Sequence, residues 1–388
     1  MSLATFLAPI VDFILLLLRR VDKFILKLRV SKTGYDNPRV RYMVGTTGYW
    51  LHAYRLTYPN IHKWLKTRGD LFPMVIQVQT INRCNAACGF CPYPYTIHLQ
   101  DKRIMDDALY SRIVNECVAE SDLHDFVPMS KNEPLLDVKM EQRVAEFKAK
   151  AKPHQMVELV TNGSPLTPAR TQRLMEAGVD LITVSVNAAR EEIYNKVMVG
   201  LSWKQVMGNL EALSKTELSK VNVYLRFVSE KGNRGDLQLF RKRWKHFNLF
   251  TFTVNNRAGT VRDYEMKTIN YSDFVERLKR IIGSRIYPVC PYVFSLVHVL
   301  ENGDVPMCAN DWANRDVIGN VRTQTIREIY NSPRMNEIRE LMAQGRSEEI
   351  EACRECSFYH EWMKPLESNG KDSKGFYRQL NKTLTEKV

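Results

Sequence analysis

Cys84-Asn85-Ala86-Ala87-Cys88-Gly89-Phe90-Cys91 places three thiols on one loop, directly after the apolar, strand-like run Met74–Thr80. Thiolates at this spacing can hold three irons of a cubane [4Fe–4S] cluster, which leaves the fourth iron without a protein ligand and open to substrate. Two other chemistries use Cys-x-x-Cys: a structural zinc and a redox pair. Zinc wants a fourth ligand in tetrahedral geometry, and the nearest imidazole, His98, stands seven residues beyond Cys91.

The three cysteines, the aromatic Phe90 before the last of them and the strand before the first resemble the radical S-adenosylmethionine (SAM) superfamily. The surrounding pattern agrees with that resemblance. Strands are expected at Met74–Thr80, Asp125–Met129, Met156–Thr161, Leu181–Val186, Val221–Val228 and Phe250–Val254. Helices are expected at Asp106–Ser121, Val138–Ala151, Pro168–Ala177, Glu191–Val197 with Trp203–Lys215, and Gly235–His246. Strands that alternate with helices argue for parallel units, because a parallel connection needs a crossover of a dozen or more residues. Six such units fit an α/β fold, the partial (β/α)6 TIM barrel of that superfamily.

In barrels of this kind the chemistry sits at the C-terminal ends of the strands. Met129-Ser130-Lys131-Asn132-Glu133-Pro134 is similar to the Gly-Gly-Glu-Pro segment that holds the SAM amine, with Lys131 and Asn132 in place of the glycines. The resemblance implies that Glu133 receives the amine. Thr161-Asn162-Gly163 ends the third strand and Ser185-Val186-Asn187 the fourth, where period-two spacing puts Ser185 and Asn187 on one face, suited to the SAM carboxylate or ribose. Arg226, near the end of the fifth strand, would clamp a carboxylate. Asn256 and Gly259 follow the sixth, the glycine allowing backbone to approach the adenine.

The chain's 388 residues exceed what one compact core usually holds. Four segments are expected: an N-terminal basic amphipathic helix and linker (1–70), the barrel (71–265), an auxiliary cluster domain (266–362) and a polar tail (363–388). Eight cysteines without a cleavable secretory signal point to a reducing cytoplasm and to metal ligation. The formal charge is +13, and residues 1–70 hold twelve Lys/Arg against four Asp/Glu. No recognition motif or aromatic-studded strand accompanies this charge, so no nucleic-acid partner is expected. Phe6–Leu18 is apolar but shorter than the ~20 residues that span a bilayer. Beyond it Leu17, Val21, Ile25 and Leu28 recur at helical spacing, opposite Arg19, Arg20, Lys23 and Lys27. Such a helix suits the anionic cytoplasmic face of a membrane, as a peripheral contact. Packing on the protein or on a second subunit is the alternative.

After a basic amphipathic helix expected at Tyr271–Gly283, Cys290, Cys308, Cys353 and Cys356 supply four more thiols. Glu301-Asn302-Gly303 reads as the turn of a Gly-x-x-x-x-Cys hairpin, and a single helix is expected from Thr325 to Gln344. This module resembles the auxiliary-cluster domain called Twitch, a shortened relative of SPASM. Four cysteines fit one further [4Fe–4S] cluster. Zinc is the rival, since four thiolates are its ordinary tetrahedral set. A fully ligated cluster leaves no open iron, so it would carry electrons or position groups. Cys117, inside a helix, reads as a core hydrophobe.

The resemblance implies reductive cleavage of SAM to a 5′-deoxyadenosyl radical, with an electron donor such as flavodoxin or ferredoxin, and abstraction of a substrate hydrogen atom. An auxiliary cluster nearby favours dehydrogenation of a hydroxylated sugar, cyclitol or lipid-linked substrate. Asp311, in the loop after Cys308, is the candidate base or hydroxyl ligand, with a plain exposed loop carboxylate as the alternative. Two other readings remain open: a peptide-modifying maturase forming thioether or carbon–carbon crosslinks, and a non-catalytic zinc scaffold at a membrane.

Overall fold

The computed structural model describes residues 60–96, 103–216, 221–253, 257–261 and 289–358. The expected N-terminal helix and linker up to residue 59, Asn256, the helix Tyr271–Gly283 and the polar tail lie outside the described residues. Among those described, no helix is long and apolar enough to cross a membrane.

Six strands form in chain order: β1 (Val75–Val78), β2 (Asp125–Val127), β3 (Met156–Thr161), β4 (Leu181–Ser185), β5 (Asn222–Ser229) and β6 (Asn248–Thr253). Each pairs in parallel with its predecessor, as in a partial barrel. A seventh strand, β7 (Leu296–Val299), pairs in parallel with the free edge of β1, with Val75 opposite Leu296 and Gln77 opposite His298. The sheet order is therefore β6-β5-β4-β3-β2-β1-β7. The hairpin expected around Glu301-Asn302-Gly303 would have paired this segment with the strand after the turn, inside the cysteine module. The first strand of that module instead extends the sheet of the barrel.

The crossover helices are α1 (Asp107–Ala119), α2 (Met140–Lys150), α3 (Pro168–Glu176), α4 (Glu191–Val197), α5 (Trp203–Lys215) and α6 (Leu237–Arg243). Their starts follow local chemistry. Asp106 accepts from the Leu109 amide, Thr167 precedes Pro168 and accepts from Arg170, and Ser202 accepts from Gln205. In α1 the residues Leu109, Tyr110, Ile113, Val114 and Cys117 are buried, one stripe at helical spacing. Cys117 is fully buried, as a core hydrophobe should be.

In the C-terminal module the turn at Gly303 forms as expected, with φ +97° and its amide donating to the Leu300 carbonyl at 2.9 Å. The strand after it, β8 (Asp304–Pro306), takes as its antiparallel partner β9 (Val317–Asn320), while β7 belongs to the barrel. The helix expected over Thr325–Gln344 is two, α7 (Ile326–Tyr330) and α8 (Pro333–Ala343). Pro333 cannot continue a helix from its N-terminal side, and Ser332 caps the new start by accepting from Met335.

One buried ion pair fixes the loop between β2 and α2. Glu133 precedes a single 3-10 turn, Pro134–Leu136, and Asp137 closes it. The Arg143 Nε donates to Asp137 Oδ2 at 2.8 Å and its Nη2 to the Met105 carbonyl at 2.7 Å, both partners of the pair being almost wholly buried. Removing one member leaves a buried charge uncompensated, at a cost of ~3–5 kcal/mol. Arg143→Met is expected to lower unfolding stability by about that amount. Urea titration of the wild-type and variant proteins measures it, and an unchanged midpoint would refute the anchoring role.

Candidate functional site

The loop 84–91 leaves the C-terminal end of β1 and is fixed by backbone bonds that no residue type in it advertises. The Cys91 amide donates to the Cys88 carbonyl at 3.0 Å, and Ala87 donates to Val199 O at 2.8 Å. Gly200 makes the second contact possible. Its φ is +90°, and a Cβ there would stand 3.1 Å from the Asn85 carbonyl. Tyr93 closes the loop from the other side, its hydroxyl accepting from the Cys84 amide at 2.9 Å. Sequence reading passed over both Tyr93 and Gly200, although a glycine just beyond a helix was a visible signal.

Cys84, Cys88 and Cys91 converge. Burial pushes the Cys84 thiol up to about 12, and the charges of Glu133 and Cys91 push the same way. Burial is also the chief cause of the rise at Cys88, with Cys91 and Cys84 adding to it. Thiols kept protonated by desolvation, two of them raised further by neighbouring sulfur, are poor nucleophiles and a good metal-ligand set, because a bound cation replaces the protons. Two guanidinium groups work in the opposite direction. Arg226 lowers Cys88 and Cys91, and Arg257 lowers Cys91. Anionic sulfur therefore fits this loop only with positive charge beside it.

Around this loop stand the ends of the other strands. Glu133 is buried and pushed up to about 7, chiefly by desolvation. Its Oε1 accepts from Thr161 Oγ1 at 2.7 Å and from the Leu135 amide at 3.1 Å, and its Oε2 accepts from the Asn162 amide at 2.7 Å. The Glu133 amide in turn donates to the Arg83 carbonyl at 2.9 Å. Asn162 binds the Asn85 side chain at 2.9 Å, which joins the end of β3 to the cysteine loop. Arg226 Nη2 donates to Ser185 Oγ at 2.6 Å. Thr80 Oγ1 and Asn132 Nδ2, after β1 and β2, are buried with no protein partner, as polar atoms reserved for a ligand would be.

Two expectations need correction. Ser185 and Asn187 do not share a strand face, because β4 ends at Ser185 and Asn187 takes the left-handed conformation at φ +62°. Asn187 is spent inside the protein: its Oδ1 accepts from the Val228 amide at 2.8 Å and its carbonyl from Asn233. Gly259, at φ +80°, makes its close approach to the C-terminal module, where a Cβ would lie 2.7 Å from Glu355 Oε2.

Cys290, Cys308, Cys353 and Cys356 line one pocket, walled also by Ala258, Tyr292, Met307 and Met342. Burial pushes Cys308 up to about 12, with the charge of Cys356 adding to it, and burial raises Cys290 and Cys353 further. Among the described residues no three His, Cys, Asp or Glu side chains come together closely enough for a single metal ion. The chemistry of the donors, three thiols at one site and four at the other, is a set that fits an iron–sulfur cluster at each.

Asp311 is not an exposed loop carboxylate. It is fully buried, its Oδ1 accepting from Arg315 Nε at 2.9 Å and its Oδ2 from the Arg315 amide at 2.7 Å. It braces the loop after Cys308 and is not presented as a base. The two halves meet through a set of polar contacts, in which Gln79 and His298 carry no motif that announces them. Gln79 Nε2 donates to Glu301 Oε2 at 2.8 Å, His298 Nδ1 lies 2.6 Å from Ser130 Oγ, and Lys131 reaches the loop after Cys308.

Comparison with known proteins agrees with this geometry. Residues 78–229 match the radical SAM superfamily, and residues 290–357 match an iron–sulfur cluster-binding domain, SPASM. The chain is 23% identical over 291 residues to the S-adenosyl-L-methionine-dependent 2-deoxy-scyllo-inosamine dehydrogenase of Niallia circulans, covering 74% of this chain and 93% of that one. It is 26% identical over 167 residues to a GTP 3′,8-cyclase of Mycobacterium marinum, covering 43% of this chain and 46% of the cyclase. Among solved structures, SuiB of Streptococcus suis bound to its precursor peptide SuiA superposes with a TM-score of 0.59 at 12% identity, over 90% of this chain and 84% of SuiB. BtrN in complex with AdoMet and 2-DOIA superposes with a TM-score of 0.50 at 20% identity, over 74% of this chain and 94% of BtrN.

Proposed function

The chain belongs to the radical SAM superfamily and carries a C-terminal SPASM-type cluster domain, and on that premise we propose that it dehydrogenates a hydroxylated small molecule. The observation that carries this reading is the seam itself: Lys131, in the loop that leads to Glu133, is bonded to the loop after Cys308, so a cluster held by the second cysteine set would stand beside the mouth where SAM would be cleaved. Likeness over most of its length to a cyclitol dehydrogenase supports a sugar, cyclitol or lipid-linked polyol as substrate.

Cys84, Cys88 and Cys91 would hold one [4Fe–4S] cluster and the four later cysteines a second; with SAM these supply a 5′-deoxyadenosyl radical, using one electron from a donor such as flavodoxin or ferredoxin, and an acceptor for one electron. In the overall conversion the carbinol carbon gives up a hydrogen atom, its hydroxyl a proton and the carbon one further electron, which leaves a ketone. The chain's own part is placement. Thr80 and Asn132 offer unpartnered polar atoms at the mouth, Arg226 is set by Ser185 beside the first three cysteines, and Glu133 is held by three donors in position to receive an amine. Holding the reacting C–H at contact distance of the radical carbon, away from water, accounts for selectivity.

Anaerobically reconstituted protein, given dithionite, SAM and deuterated polyols, is expected to transfer deuterium into 5′-deoxyadenosine and release a ketone. Replacing Cys353 and Cys356 by Ala should leave SAM cleavage but stop ketone formation. Full turnover by that variant would remove the electron-acceptor role.

Glu133 accepts from the SAM amine well only when ionised, so SAM binding should strengthen as pH rises through about 7, where its carboxyl titrates. Glu133→Gln is expected to weaken SAM binding by roughly 10–100-fold, the worth of a hydrogen bond to a charged group, and to flatten that pH profile. A profile that keeps its slope in the variant counts against this role.

The basic apolar segment 6–28 supports peripheral attachment to an anionic cytoplasmic membrane surface. Removing residues 1–30 should release the protein from phosphatidylserine vesicles at physiological salt. Equal binding by both forms would dismiss the anchor.

A further inference from the structure

Lys131 stands where the radical SAM pattern has a glycine, and its side chain crosses the seam. It is 2% exposed, and its Nζ donates to the Asp311 carbonyl at 2.7 Å and to Asn314 Oδ1 at 2.6 Å. The ammonium also lies 5.7 Å from the centre of the Trp312 ring. Asp311, Trp312 and Asn314 all belong to the loop that follows Cys308, and this loop folds back on the cysteine. The Asn310 amide donates to Cys308 Sγ at 3.3 Å and the Asp311 amide to the Cys308 carbonyl at 3.1 Å. At its other end the Lys131 amide donates to Gln79 Oε1 at 3.1 Å, and Gln79 holds Glu301. A residue of the SAM-side loop thus delivers a buried ammonium to the loop that follows Cys308.

Burial without compensation would expel such a charge. Desolvation lowers Lys131 to about 7, while Asp311, Cys308 and Glu301 each pull it back up. Two of these three are already engaged: Asp311 with Arg315, and Glu301 with Gln79 and Asn82. The remaining attraction is toward Cys308. It grows when that sulfur becomes a thiolate ligand, and grows again with each electron added to the group that the thiolates hold. A fixed positive charge in a low-dielectric wall stabilises the more negative, reduced form, and net charge beside a cluster is one of the levers that set its potential.

We propose that Lys131 is a positioning residue for electron transfer, which holds its ammonium against the loop after Cys308 and raises the reduction potential of the four-cysteine cluster. The proposal rests on reading that cluster as the electron acceptor. It also explains why a long basic side chain occupies a glycine position of the SAM-side loop: the residue that helps to shape one site charges the other.

The test is a redox titration, followed by electron paramagnetic resonance, of reconstituted Lys131→Gln and Lys131→Arg beside the unmodified protein. Gln retains a hydrogen-bond donor without the charge, and its four-cysteine cluster is expected at a lower potential, with less ketone formed per 5′-deoxyadenosine. Arg keeps the charge and is expected close to the unmodified protein in both. An unchanged potential in Lys131→Gln, or a fall in Lys131→Arg as deep as in Lys131→Gln, overturns the role of Lys131. Should Lys131→Gln lose iron from the second site, recovery of that iron in Lys131→Arg supports the role and its loss in both overturns it. A second cluster that never changes oxidation state during turnover of the unmodified protein would sink the acceptor reading alone, since the potential is measured without substrate.

Discussion

A thiol enclosed by apolar side chains keeps its proton unless a cation takes the proton's place, and seven of the eight cysteines here are arranged around that constraint. Burial, first among the causes, raises each of the six for which a shift is resolved, and neighbouring sulfurs raise five of them further. Empty, the two sets are therefore held as neutral thiols, and loading with metal must displace their protons. The sheet places the first set where all its parallel strands end. The module that carries the second is pinned to the same end through β7, which adds directly to β1.

Between the two sets runs a buried polar seam of Gln79, Asn82, Ser130 and Lys131 on one side and His298, Glu301, Asp311 and Asn314 on the other. Polar networks of this kind add little to net stability, because each group has left water to join them. What they provide is register, since a slipped arrangement strands several buried groups without partners. Here the register is the distance between two redox sites, and a small error in it matters more to electron transfer than to folding.

Much of the fold could be read in advance because its signals are local. All six barrel strands are short apolar runs rich in β-branched and aromatic residues, and helix starts at Asp106, Thr167 and Ser202 carry their caps in the sequence. The cysteines were legible by spacing. What escaped depends on distance or on backbone conformation. Leu296–Val299 reads as a strand of the barrel sheet only once β1 is known to have a free edge, more than two hundred positions away. The left-handed turn at Asn187 breaks the alternation that put it beside Ser185, and nothing in Ser-Val-Asn announces this. The pairing of Asp311 with Arg315 was within reach, being one helical turn apart, whereas the meeting of Lys131 with Asn314 joins residues 183 apart.

The pairing of β7 with β1 also has a bearing on how the protein is made. As the chain leaves the ribosome, β1 emerges among the first strands, and one of its edges waits unpaired until nearly the whole remaining sheet has been synthesised. An unsatisfied edge held open for that interval is a template for mispairing with other chains. The cell has an interest in keeping nascent copies apart, and purification from slow, low-temperature expression should yield more folded material than rapid overproduction.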